Sequence, residues 1–212
     1  NILRLQEEFG FRLVFTSSSE VYGDSDCTLT EDIMDTQEIR QMNDYALSKW
    51  VNEIQIINSQ LTADTKTVRV RLFNTYGPGE YYSPYRSAVC VFVYKAINSQ
   101  PYTVFLDHKR TSLYIADCVQ ALANITEHFN PGEVYNIAGA EIHTMKQVSD
   151  MILNYLDLDD YLVRYEKYEP FTTRVKLPDA SKGIKDLDYR PSITLEQGIP
   201  RTIEWMKSIY RS

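Results

Sequence analysis

The 212-residue sequence lacks long apolar runs and clustered bases. Its longest apolar run, Ala88 to Tyr94, has seven residues, whereas a membrane-spanning helix needs about 20. The 22 Lys and Arg are outnumbered by 29 Asp and Glu, giving a net charge of -7, and nucleic-acid binding depends on clustered cations. No basic stretch followed by an apolar one opens the chain. We therefore expect a cytoplasmic protein that binds neither membranes nor nucleic acid.

Cysteine and histidine are also scarce. The three cysteines, Cys27, Cys90 and Cys118, are odd in number and far apart, so the sequence predicts neither a disulfide framework nor a CxxC site. The three histidines have no partners at ligand spacing. We predict no metal site.

The glycines do not form a phosphate-binding turn. They lie at positions 10, 23, 77, 79, 132, 139, 183 and 198. No three of them match GxGxxG or GxxGxxG, the pattern that lets backbone N–H groups hold a dinucleotide pyrophosphate. The 212 residues therefore lack this fingerprint.

Strand and helix patterns alternate along the chain. Alternating or short apolar runs rich in β-branched residues predict strands, and apolar residues at three-to-four spacing predict helices. The predicted strands are 12–17, 67–74, 102–106 and 133–137, and the predicted helices are 37–60, 87–97, 116–128, 144–156 and 195–209. Such alternation implies an α/β fold with parallel pairing.

Tyr45 and Lys49 are four residues apart on the long predicted helix, so they share one face. A neighbouring ammonium stabilises a phenolate, which allows a tyrosine to act as a base nearer neutral pH. The chain has 16 Tyr, and a pair at this spacing also arises by chance. The pair is a candidate acid–base site whose meaning depends on its surroundings.

Polar residues follow two of the predicted strands. Strand 12–17 runs into the hydroxyl-rich segment 17–23 with its carboxylate, and strand 67–74 ends in the polar turn 74–79. Open α/β sheets bind ligands at the carboxyl ends of their strands. These groups can orient a sugar hydroxyl there, although a solvated turn with helix caps gives the same pattern.

Six ordered motifs resemble the extended short-chain dehydrogenase/reductases, the NAD-dependent nucleotide-sugar epimerase/dehydratase family. They are SSSEVYG at 17–23, YALSK at 45–49, RLFNTYGPG at 71–79, RTSLYIAD at 110–117, EVYNIAG at 133–139, and PDASK, LDYRP and LEQGI within 178–199. The resemblance implies the carboxyl-terminal part of a Rossmann-type, doubly wound parallel sheet plus a small α/β substrate-binding region. It also implies NAD or NADP as cofactor, with NAD favoured, and a nucleotide-diphosphate sugar as substrate.

The resemblance also assigns roles to individual residues. Tyr45 resembles the base that takes the proton of the sugar 4-hydroxyl, and Lys49 the residue that holds the nicotinamide ribose. The implied catalytic set is Ser18, Ser19, Glu20, Tyr45 and Lys49; the implied cofactor contacts are Ser17, Tyr45 and Lys49; and the implied substrate contacts are Asn74, Arg110 and Arg174.

The chain departs from the family in its length. Members are usually about half again as long, and the part without a counterpart here is the beginning, with its glycine turn. We therefore expect residues 1–75 to be the remainder of a dinucleotide-binding domain and 76–212 the substrate region, with 107–128 packing back on the sheet. We expect the 212 residues alone to bind NAD(P) weakly and to expose a sheet edge. We expect the complete protein to form a homodimer through the helix that carries YALSK.

Glu20 bears on the type of reaction. Dehydratases and decarboxylases of the family carry a carboxylate at this place, whereas simple 4-epimerases often carry a small residue. Ser19 stands where a strict dTDP-glucose dehydratase carries Asp. The resemblance favours a 4,6-dehydratase, with a 4-epimerase or a sugar-acid decarboxylase as alternatives. A non-catalytic fragment or binding module is the alternative of another class.

Overall fold

The computed structural model describes residues 1–25 and 27–211, so residue 212, the end of the predicted substrate region, lies outside it. The helices are α1 Ile2–Phe9, α2 Ile33–Thr36, α3 Asp44–Ala63, α4 Ala88–Ile97, α5 Ile115–Glu127, α6 Met145–Leu156, α7 Ser181–Leu187 and α8 Leu195–Tyr210, with a 3₁₀ helix at Ser19–Tyr22. The strands are β1 Leu13–Ser18, β2 Thr28–Leu29, β3 Thr67–Leu72, β4 Thr75–Tyr76, β5 Tyr102–Phe105, β6 Lys109–Thr111, β7 Leu113–Tyr114, β8 Val134–Ile137, β9 Ile142–Thr144, β10 Val163–Glu166 and β11 Leu177–Pro178.

The main sheet has three parallel strands in the order β1-β3-β8. The central strand β3 is buried on both faces. Val68 and Val70 pack with residues of α5 and α7 on one face, and Arg69 and Arg71 meet Glu53 of α3 on the other. Helices therefore cover both faces, which is the Rossmann-type α/β arrangement that the sequence predicts.

The free edge of this sheet lies beside α1. Within the described chain β1 pairs with β3 alone, so its other edge is open. A cavity of about 430 Å³ lies there, lined by residues of α1, α3 and β1 that include Leu13 and Phe15.

A second apolar core lies under α4, α6 and α8. Val93, Ile152 and Ile203, one from each helix, are fully buried in it. The parallel pair β5 and β10 borders this region. There are three further two-stranded pairs among the described strands: β2 with β11, β4 with β7, and β6 with β9.

A third, smaller apolar cluster supports the carboxyl end of β1. Val21 and Tyr22 of the 3₁₀ helix pack there with Leu29, Ile33 and Phe73. Because all five are at least 95% buried, the turn that follows β1 is held firmly against the sheet.

Three predicted boundaries, in two elements, are wrong. The helix predicted over 37–60 runs on to Ala63. It begins at residue 44, because Asn43 is extended (φ -153°) and its side chain accepts a hydrogen bond from the Ala46 N–H at 2.9 Å. This is an N-cap, and it overrides the apolar spacing of the preceding residues. The strand predicted over 67–74 ends at Leu72, and Asn74 adopts a left-handed φ of 43°. The other predicted elements agree within one residue at each end.

No helix among residues 1–25 and 27–211 has the length and hydropathy that a membrane span requires. In the same part of the chain, no three His, Cys, Asp or Glu side chains lie together as a metal-binding group.

Candidate active site

The polar ends of β1 and β3 open into one cavity of about 930 Å³. Seven of the residues predicted from the sequence line it: Ser17, Ser18, Ser19, Glu20, Tyr45, Lys49 and Asn74. They come from β1, the 3₁₀ helix, α3 and the turn after β3. Parallel strands bring their carboxyl ends to the same edge of a sheet, which explains why segments distant in sequence meet here.

The serines at the end of β1 differ in the use of their hydroxyl groups. Ser17 Oγ donates to Glu53 Oε1 at 2.5 Å, so its hydrogen is engaged inside the fold. Ser18 Oγ accepts from the Glu20 N–H at 3.2 Å and so caps the 3₁₀ helix. Because that bond uses only a lone pair, the Ser18 hydroxyl keeps its hydrogen for a ligand in the cavity.

Tyr45 and Lys49 lie in the first two turns of α3. Lys49 Nζ donates to the Thr16 carbonyl at 2.8 Å and lies 5.8 Å from the centre of the Tyr45 ring. The Tyr45 side chain is 54% exposed, so it faces the open cavity and not an apolar core. Tyr45 and Ser18 line the same cavity, but within the described residues no hydrogen bond joins their hydroxyl groups.

Glu20 points into the cavity and forms an ion pair with Lys176. Lys176 also donates to Ser19 Oγ at 3.2 Å, and it is only 1% exposed. Burial raises the pKa of Glu20, but the charge and hydrogen bond of Lys176, with the charge of Arg110, outweigh it and hold that pKa below its ordinary value. Sequence reasoning missed Lys176, because its only local signal is a position two residues before a short Pro-Asp motif.

Asn74, Arg110 and Arg174 are positioned differently from one another. Asn74 Nδ2 donates to the Thr111 carbonyl at 3.0 Å, and Asn74 lines the large cavity. Arg110 donates to the carbonyls of Lys109, Thr173 and Arg174, and it borders a narrow cleft beside Asn74. The half-exposed Arg174 guanidinium lies 3.8 Å from the Asp24 carboxylate. Neither arginine lines the large cavity, so their contact with a substrate diphosphate stays a prediction.

Two further acidic residues near the cavity were not foreseen. Glu53 of α3 is fully buried and pairs with Arg71 at 2.8 Å. Glu80 lines the cavity, and its carboxylate accepts from the Ser87 N–H at 2.9 Å and the Ser87 Oγ at 2.7 Å, ahead of α4. Both are engaged within the fold, so they shape the site and are poor candidates for proton transfer.

Comparison with known proteins places these features in a family. The sequence model of the NAD dependent epimerase/dehydratase family matches residues 1–138. The UDP-N-acetyl-alpha-D-glucosaminuronate decarboxylase of Bacillus cytotoxicus is 29% identical to this chain. The match covers 99% of this chain and 68% of the decarboxylase. The dTDP-glucose 4,6-dehydratase 1 of Escherichia coli is 29% identical over 93% of this chain and 58% of its own.

A solved structure shows the same fold. The UDP-glucuronic acid 4-epimerase from Bacillus cereus, in complex with UDP-glucuronic acid and NAD, superimposes with a TM-score of 0.89 at 22% identity. The match covers 99% of this chain and 66% of that one, so the chain spans about two thirds of the structure it resembles. From the family match, the two relatives and this shared fold, we conclude that the chain belongs to the NAD-dependent epimerase/dehydratase family.

Proposed function

We propose that this chain provides the catalytic residues of an enzyme that modifies a nucleotide sugar through a transient 4-keto sugar, and that the reaction is a 4,6-dehydration. The observation that carries the proposal is the convergence of Ser18, Glu20, Tyr45 and Lys49 on one open cavity. It brings together a phenol, an ammonium, a free hydroxyl hydrogen and an ionised carboxylate.

The first step is activation of the sugar 4-hydroxyl. Tyr45 takes the hydroxyl proton as the general base, and the nearby Lys49 ammonium stabilises the phenolate. Ser18 donates its free hydroxyl hydrogen to the sugar 4-oxygen and so orients it. NAD, when bound, accepts the hydride from C4.

The residues present fit the nicotinamide end of NAD. One of the three N–H groups of Lys49 is used by the Thr16 carbonyl, which leaves two for a ribose diol. The Bacillus cereus structure contains NAD, which supports NAD over NADP. The 212 residues offer no glycine turn for the pyrophosphate.

Glu20 serves the second step. A ketone at C4 acidifies the C5 proton, and the Glu20 carboxylate accepts that proton. The C5–H electron pair forms the C5–C6 double bond, the C6–O bond breaks, and the hydroxyl takes the proton from Glu20 and leaves as water. The hydride held by reduced NAD would then return to C6 and a proton to C5, so that the net change is the loss of one water. The ionised state of Glu20 in the cavity supports this role.

Decarboxylation of a sugar acid is the second candidate. A 4-keto sugar acid is a β-keto acid, so the C5–C6 bond can break with release of carbon dioxide and delocalisation of the electron pair onto the 4-oxygen. The Bacillus cytotoxicus relative is named as a decarboxylase.

The test is a substrate panel read by mass spectrometry. Protein expressed from its natural coding sequence is incubated with NAD and, separately, with neutral and carboxylated sugars linked to UDP, dTDP and GDP. Loss of one water from a neutral sugar supports dehydration. Loss of carbon dioxide contradicts dehydration and supports decarboxylation. An unchanged mass with an inverted C4 contradicts dehydration and supports epimerisation. Binding without turnover in calorimetry contradicts the enzyme proposal and favours a binding module.

We also propose that the protein forms a homodimer through the outer face of α3. Leu47, Val51 and Ile54 on this helix are 38–50% exposed. Two large apolar residues of this region do not contribute to this face, because Met42 precedes the helix and Trp50 packs against the third cluster. Analytical ultracentrifugation of Val51→Glu tests the proposal, since a like charge at the two-fold contact should give a monomer.

A further inference from the structure

Lys176 is an unusual residue for its surroundings. Its side chain is almost fully buried, and lysines are rarely buried unless they are paired. The ammonium contacts the Glu20 carboxylate and Ser19 Oγ, 156 and 157 residues away along the chain. The backbone around it is fixed, because Lys176 N–H donates to the Lys109 carbonyl and the next residues form β11, which pairs with β2.

Charged and polar side chains reach Glu20 from several elements of the fold. Lys176 comes from the segment before β11, Arg110 from β6, and the Asn43 side chain from the turn before α3. Asp24 and Glu169 act on Arg110 from the far side. Lys176 is the group in direct ionic contact with Glu20, whereas the hydrogen bonds of Arg110 go to backbone carbonyls.

We propose that Lys176 is a positioning residue of the active site, which holds the Glu20 carboxylate as an anion in one orientation beside Ser19. The inference rests on the proposed function only in that Glu20 acts on the substrate. Lys176 itself does not line the cavity, and its side chain is buried in contact with two residues that do, Ser19 and Glu20. It therefore acts through Glu20 and not on the sugar.

Loss of the Lys176 charge has a predictable effect on Glu20. Burial is the largest influence on the pKa of Glu20 and raises it, and the Lys176 charge and hydrogen bond are the largest influences that oppose it. Without Lys176, only the charge of Arg110 and the Asn43 side chain oppose the effect of burial, so the pKa of Glu20 rises. A protonated Glu20 cannot accept the C5 proton.

The experiment is an NMR pH titration of the Glu20 carboxyl carbon in ¹³C-labelled protein, assigned with Glu20→Gln. In Lys176→Met the midpoint should move to higher pH, and in Lys176→Arg it should stay near that of the wild type. Lys146→Met removes a lysine from the half-exposed Lys146–Asp150 pair and is the matched control with an unchanged Glu20 midpoint. An unchanged midpoint in Lys176→Met overturns the inference.

A second variant and a kinetic readout separate the possible failures. Lys176→Gln keeps a hydrogen-bond donor for Ser19 without the charge, and it should give the same upward shift if the Met variant fails to fold. In the Lys176→Met and Lys176→Gln variants, the acid limb of the plot of kcat against pH should move to higher pH, while KM changes little. If the NMR shift occurs but Glu20→Gln leaves turnover intact, the proposed role of Glu20 fails while the positioning role of Lys176 stands.

Discussion

Glu53 and Arg71 form a two-bond ion pair between α3 and the central strand. Arg71 Nε lies 3.1 Å from Glu53 Oε1, and Arg71 Nη2 lies 2.8 Å from Glu53 Oε2. Neither side chain is more than 2% exposed. Because Glu53 Oε1 also accepts from Ser17 Oγ, this pair fixes the helix of Tyr45 and Lys49 to the strand end that carries Ser17 and Ser18.

Replacement of Glu53 by Gln should therefore destabilise the protein strongly. The change leaves the buried Arg71 without its anion, and breaking a buried pair by removal of one partner costs about 3–5 kcal/mol. Urea denaturation followed by circular dichroism measures the free energy of unfolding. Asp150→Asn, which breaks the surface pair with Lys146, is the control and should cost less than about 1 kcal/mol. Equal losses in the two variants would contradict the role of Glu53.

His108 should make stability depend on pH. Burial, together with the charge of Arg110, lowers the pKa of His108 from 6.5 to about 4, against opposing charges on Asp107 and Asp24. Below about pH 6.5, His108 is therefore protonated in the unfolded chain but stays neutral in the folded protein until the pH approaches 4. The stability from neutral His108 is complete above that pH, and on the order of 3 kcal/mol is lost by about pH 4.

The measurement compares urea denaturation near neutral pH and near pH 4 in His108→Gln and the wild type. The variant should lose less stability on acidification, whatever its stability at neutral pH. His128 is exposed, so His128→Gln should keep the wild-type pH dependence. A His108→Gln variant with the wild-type pH dependence would show that His108 is not held neutral in the fold.

Glu20→Gln should separate the two chemical steps. An amide cannot accept the C5 proton, so elimination should slow by about 10²–10⁴-fold, while oxidation at C4 continues. The 4-keto sugar is trapped by borodeuteride and identified by mass spectrometry. Because the change also leaves Lys176 without its anion, thermal denaturation is measured in parallel. Product formation at the wild-type rate would favour a 4-epimerase instead.

The sequence predicts much of the fold, because its signals there are local. Val68 and Val70 alternate as a buried strand requires, and the YALSK motif places Tyr45 and Lys49 on one helix face. The ion pairs of the site were not predictable in this way. Glu20 and Lys176 are 156 residues apart, and they meet through pairings between distant segments, such as β11 with β2 and Lys176 N–H with the Lys109 carbonyl.

Arg110 shows a second limit of sequence reasoning. Its residue type and motif suggest an anion contact, but in the folded chain its guanidinium is occupied by the carbonyls of Lys109, Thr173 and Arg174. Which groups an arginine meets depends on the path of distant segments. The N-cap at Asn43 is a different case, since there a local hydrogen bond decided where α3 begins.

The assignment of Tyr45 as the base is tested most directly by single-turnover oxidation of the sugar, followed through the absorbance of reduced NAD. Tyr45→Phe removes only the hydroxyl, so nucleotide-sugar binding should persist while oxidation slows by about 10²–10⁴-fold. Tyr85→Phe is the matched control, because Tyr85 lines the same cavity and is 95% exposed; it should oxidise the sugar at the wild-type rate. Oxidation by Tyr45→Phe as fast as by the wild type would contradict the proposed active site.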